Sequence, residues 1–110
     1  MQISWSEFEK IEIRVGTIIK AQVFEGARKP AYQLWVDLGE LGIKKSSAQI
    51  TALYQPEQLV GHQVIAITNF PPKQIGNFMS EILVTGFANA DGNIVLAKPD
   101  LQVPNGARLI

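Results

Sequence analysis

The side chains in this sequence that could do chemistry are cations, amides and aromatic rings, and they gather around one stretch. From Asn69 to Gly86 it reads NFPPKQIGNFMSEILVTG. Pro71-Pro72 fixes two φ angles and removes two backbone donors, so a strand arriving there must stop. Lys73, Gly76, Asn77, Phe78 and Ser80 follow before apolar residues resume at Ile82. A stiff turn that displays a cation, amides, an aromatic ring and a hydroxyl is suited to touching a partner. Two more basic pairs, Arg28-Lys29 and Lys44-Lys45, lie elsewhere, and no carboxylate falls within 28–32, 44–54 or 70–77. Arg28, Lys29, Lys44, Lys45 and Lys73 are therefore expected to form one patch on one side of the molecule. The competing reading is scattered lysines that keep a small protein in solution.

Catalysis needs a constellation, and none assembles. The single His62 sits between Gly61 and Gln63 with no acid or serine close by in sequence to complete a triad. There is no cysteine, so disulfides, thiolate metal sites and cysteine nucleophiles are excluded. One histidine and no cysteine argue against a transition-metal site, and no glycine spacing matches a phosphate-cradling loop. Glu7, Glu9 and Glu12 read as a solvated helix face. The expectation is a non-enzymatic chain with no cofactor and no metal.

Composition narrows the class. The 110 residues fit one domain, 1–110, and a hydrophobic fraction of 46% calls for a packed core. Ten basic and ten acidic residues cancel, so any nucleic-acid site must come from a local cluster rather than from net charge. The opening MQISWSEFEK has no apolar h-region, and no run approaches the roughly 20 apolar residues of a membrane span. These features give the expectation of a cytoplasmic chain without membrane insertion.

The elements that must hold the chemistry follow from patterning. Ser4 and Glu7 form a capping box for a short helix from about Trp5 to Lys10, carrying Trp5 and Phe8 on one face. Residues 11–24 alternate as a long strand, with Ile11, Ile13, Val15, Ile19, Ala21 and Val23 set against Glu12, Arg14, Lys20 and Gln22. Gly16 in its middle predicts a bend or bulge. Tyr32–Leu38 is a second strand with Tyr32, Leu34, Val36 and Leu38 on one face. A turn at 39–42 leads to a third strand at 43–48. Residues 51–60 are the second helix candidate, with Pro56 early and Leu59 inward. A fourth strand spans 63–70 and is apolar on both faces, so both must be covered. The stretch from Asn69 then reads as turn, loop and a fifth strand over 81–87. Asp91-Gly92 turns into a strand at 94–97, and Pro104-Asn105-Gly106 turns into 107–110. Five core strands with a helix between the third and fourth describe an all-β, five-stranded Greek-key barrel of the oligonucleotide/oligosaccharide-binding (OB) type, with C-terminal strand additions. An SH3-like barrel or a small sandwich is the rival, and the helix at 51–60 favours the OB barrel.

Three sets of residues resemble a known family. They are Ile13-Arg14-Val15-Gly16, the Pro-Glu-x-Leu-x-Gly run over 56–61, and the spacing Asn69, Pro72, Gly76, Ser80. In this order they resemble the tRNA-binding domain family, a barrel found alone and as an appendage of methionyl- and phenylalanyl-tRNA synthetases. Residues 25–31 (EGARKPA), 43–51 (IKKSSAQIT), Asn69-Phe70-Pro71-Pro72 and Val103-Pro104-Asn105-Gly106 resemble a stand-alone branch of it. That branch is described as homodimeric and as an export-related chaperone. Pro71, Ile82-Leu83 and Ser47-Ala48 depart from the commoner pattern in that same direction. The resemblance implies as partners tRNA, unfolded or precursor polypeptides, and export machinery.

On this reading Arg28, Lys29, Lys44, Lys45, Asn69, Lys73 and Ser80 would touch nucleic acid, while Phe24, Phe70, Phe78 and Lys73 would touch peptide. Of the two rings nearest the turn, Phe70 is expected in the core and Phe78 at the surface. Asn69 and Ser80 either contact a ligand or tie down the turn through backbone bonds. Trp5, Phe8, Leu109 and Ile110 add apolar surface beyond what so small a barrel can cover, so they are expected to form a homodimer interface.

Overall fold

The computed structural model describes all residues, 1–110, as a mostly β molecule with two short helices. Helix α1 (Trp5–Glu9) is held by the capping box. Ser4 Oγ accepts the Glu7 N–H at 3.2 Å, and Glu7 Oε1 accepts the Ser4 N–H at 2.9 Å. The bond from the Ser4 backbone, more than that from its hydroxyl, lowers the Glu7 carboxyl below its ordinary pKa. No helix is long and apolar enough to cross a membrane.

Strand β1 (Ile13–Val23) is the one on which the others are hung. Its first half, Ile13–Thr17, pairs antiparallel with β4 (Gln63–Ile67), and its second half, Thr17–Val23, pairs with β2 (Tyr32–Asp37). β2 in turn pairs with β3 (Ile43–Ala48), and β4 with β7 (Leu83–Val84). The sheet order is therefore β3-β2-β1-β4-β7. It closes because the chain entering β7 returns to β3. Glu81 N–H donates to Lys45 O at 2.8 Å, and Lys45 N–H donates to Glu81 Oε1 at 3.0 Å. Ser46, the one buried polar residue, donates its hydroxyl to Ile82 O at 2.9 Å, which satisfies it. The result is a nearly closed five-stranded antiparallel barrel of the expected OB type. Helix α2 (Pro56–Leu59) seats Leu59 in the barrel beside Ile18, Leu34, Val36, Leu38, Val64 and Ala66, all fully buried.

In its first half, through Ile18, the inward face of β1 is the opposite of the one its alternation predicts, whereas Ala21, paired with Leu34, packs on the core as predicted. Gly16 and Ile18 are buried, whereas Ile19 and Val23 are exposed. The irregularity also lies elsewhere, between Ile18 and Lys20 rather than at Gly16. Gly16 is there for space: a Cβ at this position would stand 2.5 Å from Val36 Cγ1 and 2.7 Å from Leu38 Cδ2. Ile13 and Val15 face out and are half-covered by the C-terminal tail, with Ile65, Val103 and Leu109 around them. The tail is fastened there by Val15 N–H to Ala107 O, Gly106 N–H to Val15 O and Leu109 N–H to Ile13 O. Gly106 sits at φ +90°, and a Cβ on it would meet Leu38 O at 2.6 Å.

Glu12 belongs to this fastening and not to a solvated helix face. Its Oε1 accepts from Arg14 Nε at 3.1 Å and Nη2 at 2.7 Å, and its Oε2 lies 3.3 Å from Arg108 Nη2. Arg14 also donates to Gly106 O at 3.0 Å, and Arg108 to Glu9 O at 2.7 Å. The Arg14 hydrogen bonds hold the Glu12 carboxyl below its ordinary value of 4.5, with the Arg108 charge adding to them.

Beyond the barrel are two ribbons. β8 (Gly86–Ala88) pairs with β9 (Ile94–Leu96), so the predicted fifth strand serves two partners in turn. β5 (Lys73–Ile75) pairs with β6 (Phe78–Ser80) around Gly76-Asn77, where the sequence reading has a loop. This second ribbon folds over the outer side of β1–β3. Phe78 enters a small cluster of its own with Phe24 and Ala31, its ring 5.4 Å from Phe24 and 5.7 Å from Trp35, both edge-to-face. The expected assignment of the rings is thus reversed: Phe78 is 6% exposed and Phe70 is 52% exposed. β4 ends at Ile67, short of the expected Phe70, so Phe70 lies outside the sheet, and the hairpin that follows Pro71-Pro72 brings Phe78 back onto Phe24.

Two tests follow. Phe78→Ala should cost about 3 kcal/mol or more in urea unfolding, and Phe70→Ala should stay within about 0.5 kcal/mol. The reverse order would return Phe70 to the core. Glu12 has a depressed folded pKa, so its stabilisation is present above the unfolded carboxylate value and is lost as pH falls through and below it. Glu12→Gln should therefore be less stable than wild type at neutral pH, and the gap should close as pH falls through and below the ordinary carboxylate range. A gap that ignores pH would show that the clamp carries no charge-dependent stability.

Candidate nucleic-acid interface

The hairpin β5–β6 builds one wall of a groove whose floor is the end of β3. Two overlapping clefts share Ser47, Gln49, Lys73 and Ile75. One continues to Arg28 and Lys29 in the β1–β2 loop, and the other to Phe70, Pro71, Glu81 and Leu83. The hairpin is set against β3 by Ser47 N–H donating to Ser80 Oγ at 3.1 Å and by the Phe78 ring beneath it. Lys73 is exposed on the outer edge of this ribbon, within reach of the solvent side of the groove.

The structure brings together part of the expected patch. Arg28, Lys29 and Lys73 line one cleft although 45 positions separate the loop from the turn (73 minus 28). Lys45 is close by but occupied differently, its Nζ 5.2 Å from the centre of the Phe78 ring. Lys44 is a correction. Successive residues of a strand point to opposite faces, so Lys44 shares the parity of Ser46 and Ala48 and leaves the Lys45 side. Glu81, outside the stretches free of carboxylates, enters from the β6–β7 connection and puts an acid in the groove. Lys20, outside the expected set, stands over the Trp35 ring at 4.5 Å on the same outer surface. The pairing Lys20↔Trp35 could have been found only with the β1–β2 register in hand.

The remaining candidates divide by environment. Asn69 accepts the Glu12 N–H at 2.9 Å through Oδ1 and donates Nδ2 to Lys10 O at 2.7 Å, so its amide locks the end of β4 to the α1–β1 connection. Ser80 ties the hairpin down while still lining the groove. Phe24 and Phe78 are interior to their cluster, which leaves Phe70 as the open ring. At the other end of the molecule, Trp5, Phe8, Leu109 and Ile110 meet with Ile3 in one apolar cleft. Trp5 stacks edge-on against Phe8 at 6.0 Å yet remains 79% exposed.

A family model described as "Putative tRNA binding domain" matches residues 13–108. The methionine–tRNA ligase of Methanothrix thermoacetophila is 36% identical over 104 residues, covering 94% of this chain. That of Leptospira interrogans is 37% identical over 110 residues, covering 99%. The matched part is 15% of each ligase's length. Among solved structures, chaperone CsaA from Bacillus anthracis superposes with TM-score 0.93 at 44% identity over 100% of both chains. The CsaA chaperone protein of Picrophilus torridus gives 0.92 at 44% identity, over 99% of this chain and 100% of its own. A MetRS-related protein from Pyrococcus horikoshii gives 0.87 at 27% identity, covering 100% and 99%. With the barrel closed as described and the match running from β1 into the C-terminal tail, this chain belongs to the tRNA-binding domain family, in the compact form of the CsaA structures.

Proposed function

We propose that the chain is a homodimeric, non-enzymatic binding module that holds tRNA along the groove between the β1–β2 loop and the β5–β6 hairpin. The observation that carries this reading is the meeting of Arg28, Lys29 and Lys73 in one cleft on a molecule with no net charge. Three cations neutralise few phosphates, so affinity falls gently with salt, with a slope of log affinity against log salt of about −2 to −3 per subunit. A lysine on a phosphate reads no sequence. Lys73→Ala should weaken all tRNAs alike and reduce that slope by about one. Binding absent at low salt, or indifferent to Lys73, Arg28 and Lys29 together, would overturn the reading.

A second reading rests on a separate observation. The full-length likeness at 44% identity is to structures described as CsaA chaperones, and Phe70 stands open beside Lys73 in the groove. That mix suits an extended, unfolded or precursor polypeptide with apolar and acidic side chains. Labelled tRNA and a labelled unfolded polypeptide, titrated singly and then in competition, separate the two. Displacement of each by the other means one shared groove, and binding of tRNA alone removes the chaperone reading.

The dimer is supported by the apolar cleft of Ile3, Trp5, Phe8, Leu109 and Ile110. A two-fold partner offers the same patch to itself. Light scattering should give twice the chain mass, and Trp5→Ala with Ile110→Asp should give the monomer. A wild-type monomer at micromolar concentration would sink the dimer.

A further inference from the structure

We propose that the groove contains a nucleobase subsite, made by Phe70 and Glu81, that prefers an unpaired base bearing an exocyclic amino group. It rests on the tRNA-binding reading above and names what that groove selects. The two overlapping clefts, about 420 and 480 Å³, each lie within the size range of small-ligand sites. Their shared floor of Ser47, Gln49, Lys73 and Ile75 makes them one groove with two unlike ends. The Arg28, Lys29 and Lys73 end suits a phosphate.

The other end does not suit a phosphate. Phe70, 52% exposed, lines this cleft beside Pro71 and offers a ring face, on which any base can stack. Glu81 lines the same cleft. Its Oε1 is fixed by the Lys45 N–H at 3.0 Å, and its Oε2 has no hydrogen-bond partner within the chain. A carboxylate repels phosphate, so a nucleic acid gains at this end only by bringing a donor. Single-stranded nucleic acid does so when an unpaired base is stacked on an aromatic ring and read along its Watson–Crick edge. Cytosine presents an amino group at one end of that edge, whereas uracil's single donor there, N3–H, is flanked on both sides by carbonyl oxygens that the carboxylate repels. Lys73 belongs to both clefts, so a phosphate at one end and the adjacent base at the other can be held together.

The test uses the full chain and two labelled single-stranded RNAs of about eight residues, all-cytosine and all-uracil, within the 4–16 nucleotides an OB barrel spans. The bases match in size and differ only on the Watson–Crick edge, at C4 and N3, so a difference reports how that edge is read. Wild type should bind the cytosine oligomer about tenfold tighter. Glu81→Gln, which keeps the acceptor that Lys45 requires, should erase that preference. Phe70→Ala should weaken both oligomers about tenfold, since stacking tolerates any base. Equal binding of the two oligomers by wild type, or no loss in Phe70→Ala, overturns the subsite. If tRNA binding in the same preparation still depends on Lys73, the broader reading survives that failure; if tRNA does not bind at all, both fall. Effects of Phe70→Ala and Glu81→Gln on polypeptide binding alone would also overturn it and assign this end of the groove to peptide.

Discussion

The constraint on which this barrel depends is that β1 must divide its length between two neighbouring strands. Its N-terminal half belongs to β4 and its C-terminal half to β2, with Thr17 paired to both. A strand can do this only if it turns through the barrel wall, and the turn requires β2 to approach closely at Gly16. There a methyl group would collide with Val36 and Leu38, both fully buried. Ile18 then fills the centre, and the shift before Lys20 re-aims the rest of the strand. From that point the outer side of β1–β3 carries Lys20, Trp35 and Phe24, which is the surface the hairpin covers.

The groove is therefore an add-on to the barrel rather than part of its interior. Phe78 bridges the two, since its ring packs on Phe24 and Trp35 while its backbone forms β6. Two proton-donating contacts align the connection with β3, one to Ser80 Oγ and one to Glu81 Oε1. Lys73 can take up a fixed position on the hairpin edge because Phe78 has given up exposure. This exchange of roles between two phenylalanines separates the anchoring ring from the ring left open, Phe70.

What was legible in the sequence is what local chemistry decides. The capping box at Ser4, the inward face of β2 and the seat of Leu59 all depend on neighbours a few residues away, and all are as expected. The first half of β1 departs from its alternation because its apolar residues Ile13 and Val15 face outward, and only the tail at 103–109 explains why they can. The hairpin did have a signal: Gly76-Asn77 between two three-residue runs is a two-residue turn pattern, masked by the short flanking strands. Lys44 and Lys45 look like a pair in one dimension and are split by strand alternation. Glu12 looks like helix decoration until Arg108, 96 positions later (108 minus 12), arrives beside it. These are long-range facts, and periodicity does not contain them.

The tail pinned along β1 also bears on the order of folding. Arg14 donates to Gly106 O, 92 residues away in sequence, and Val15 and Ile13 close their backbone bonds with residues just as distant. Contacts of such separation demand the largest loop closures in the molecule and form late. During synthesis the barrel strands emerge first, so the outer faces of β1 and β4 stay uncovered until residue 109 has left the ribosome. In that interval Ile13, Val15 and Ile65 present the nascent chain's own exposed apolar strip, and it is residues 103–109 that come to cover it.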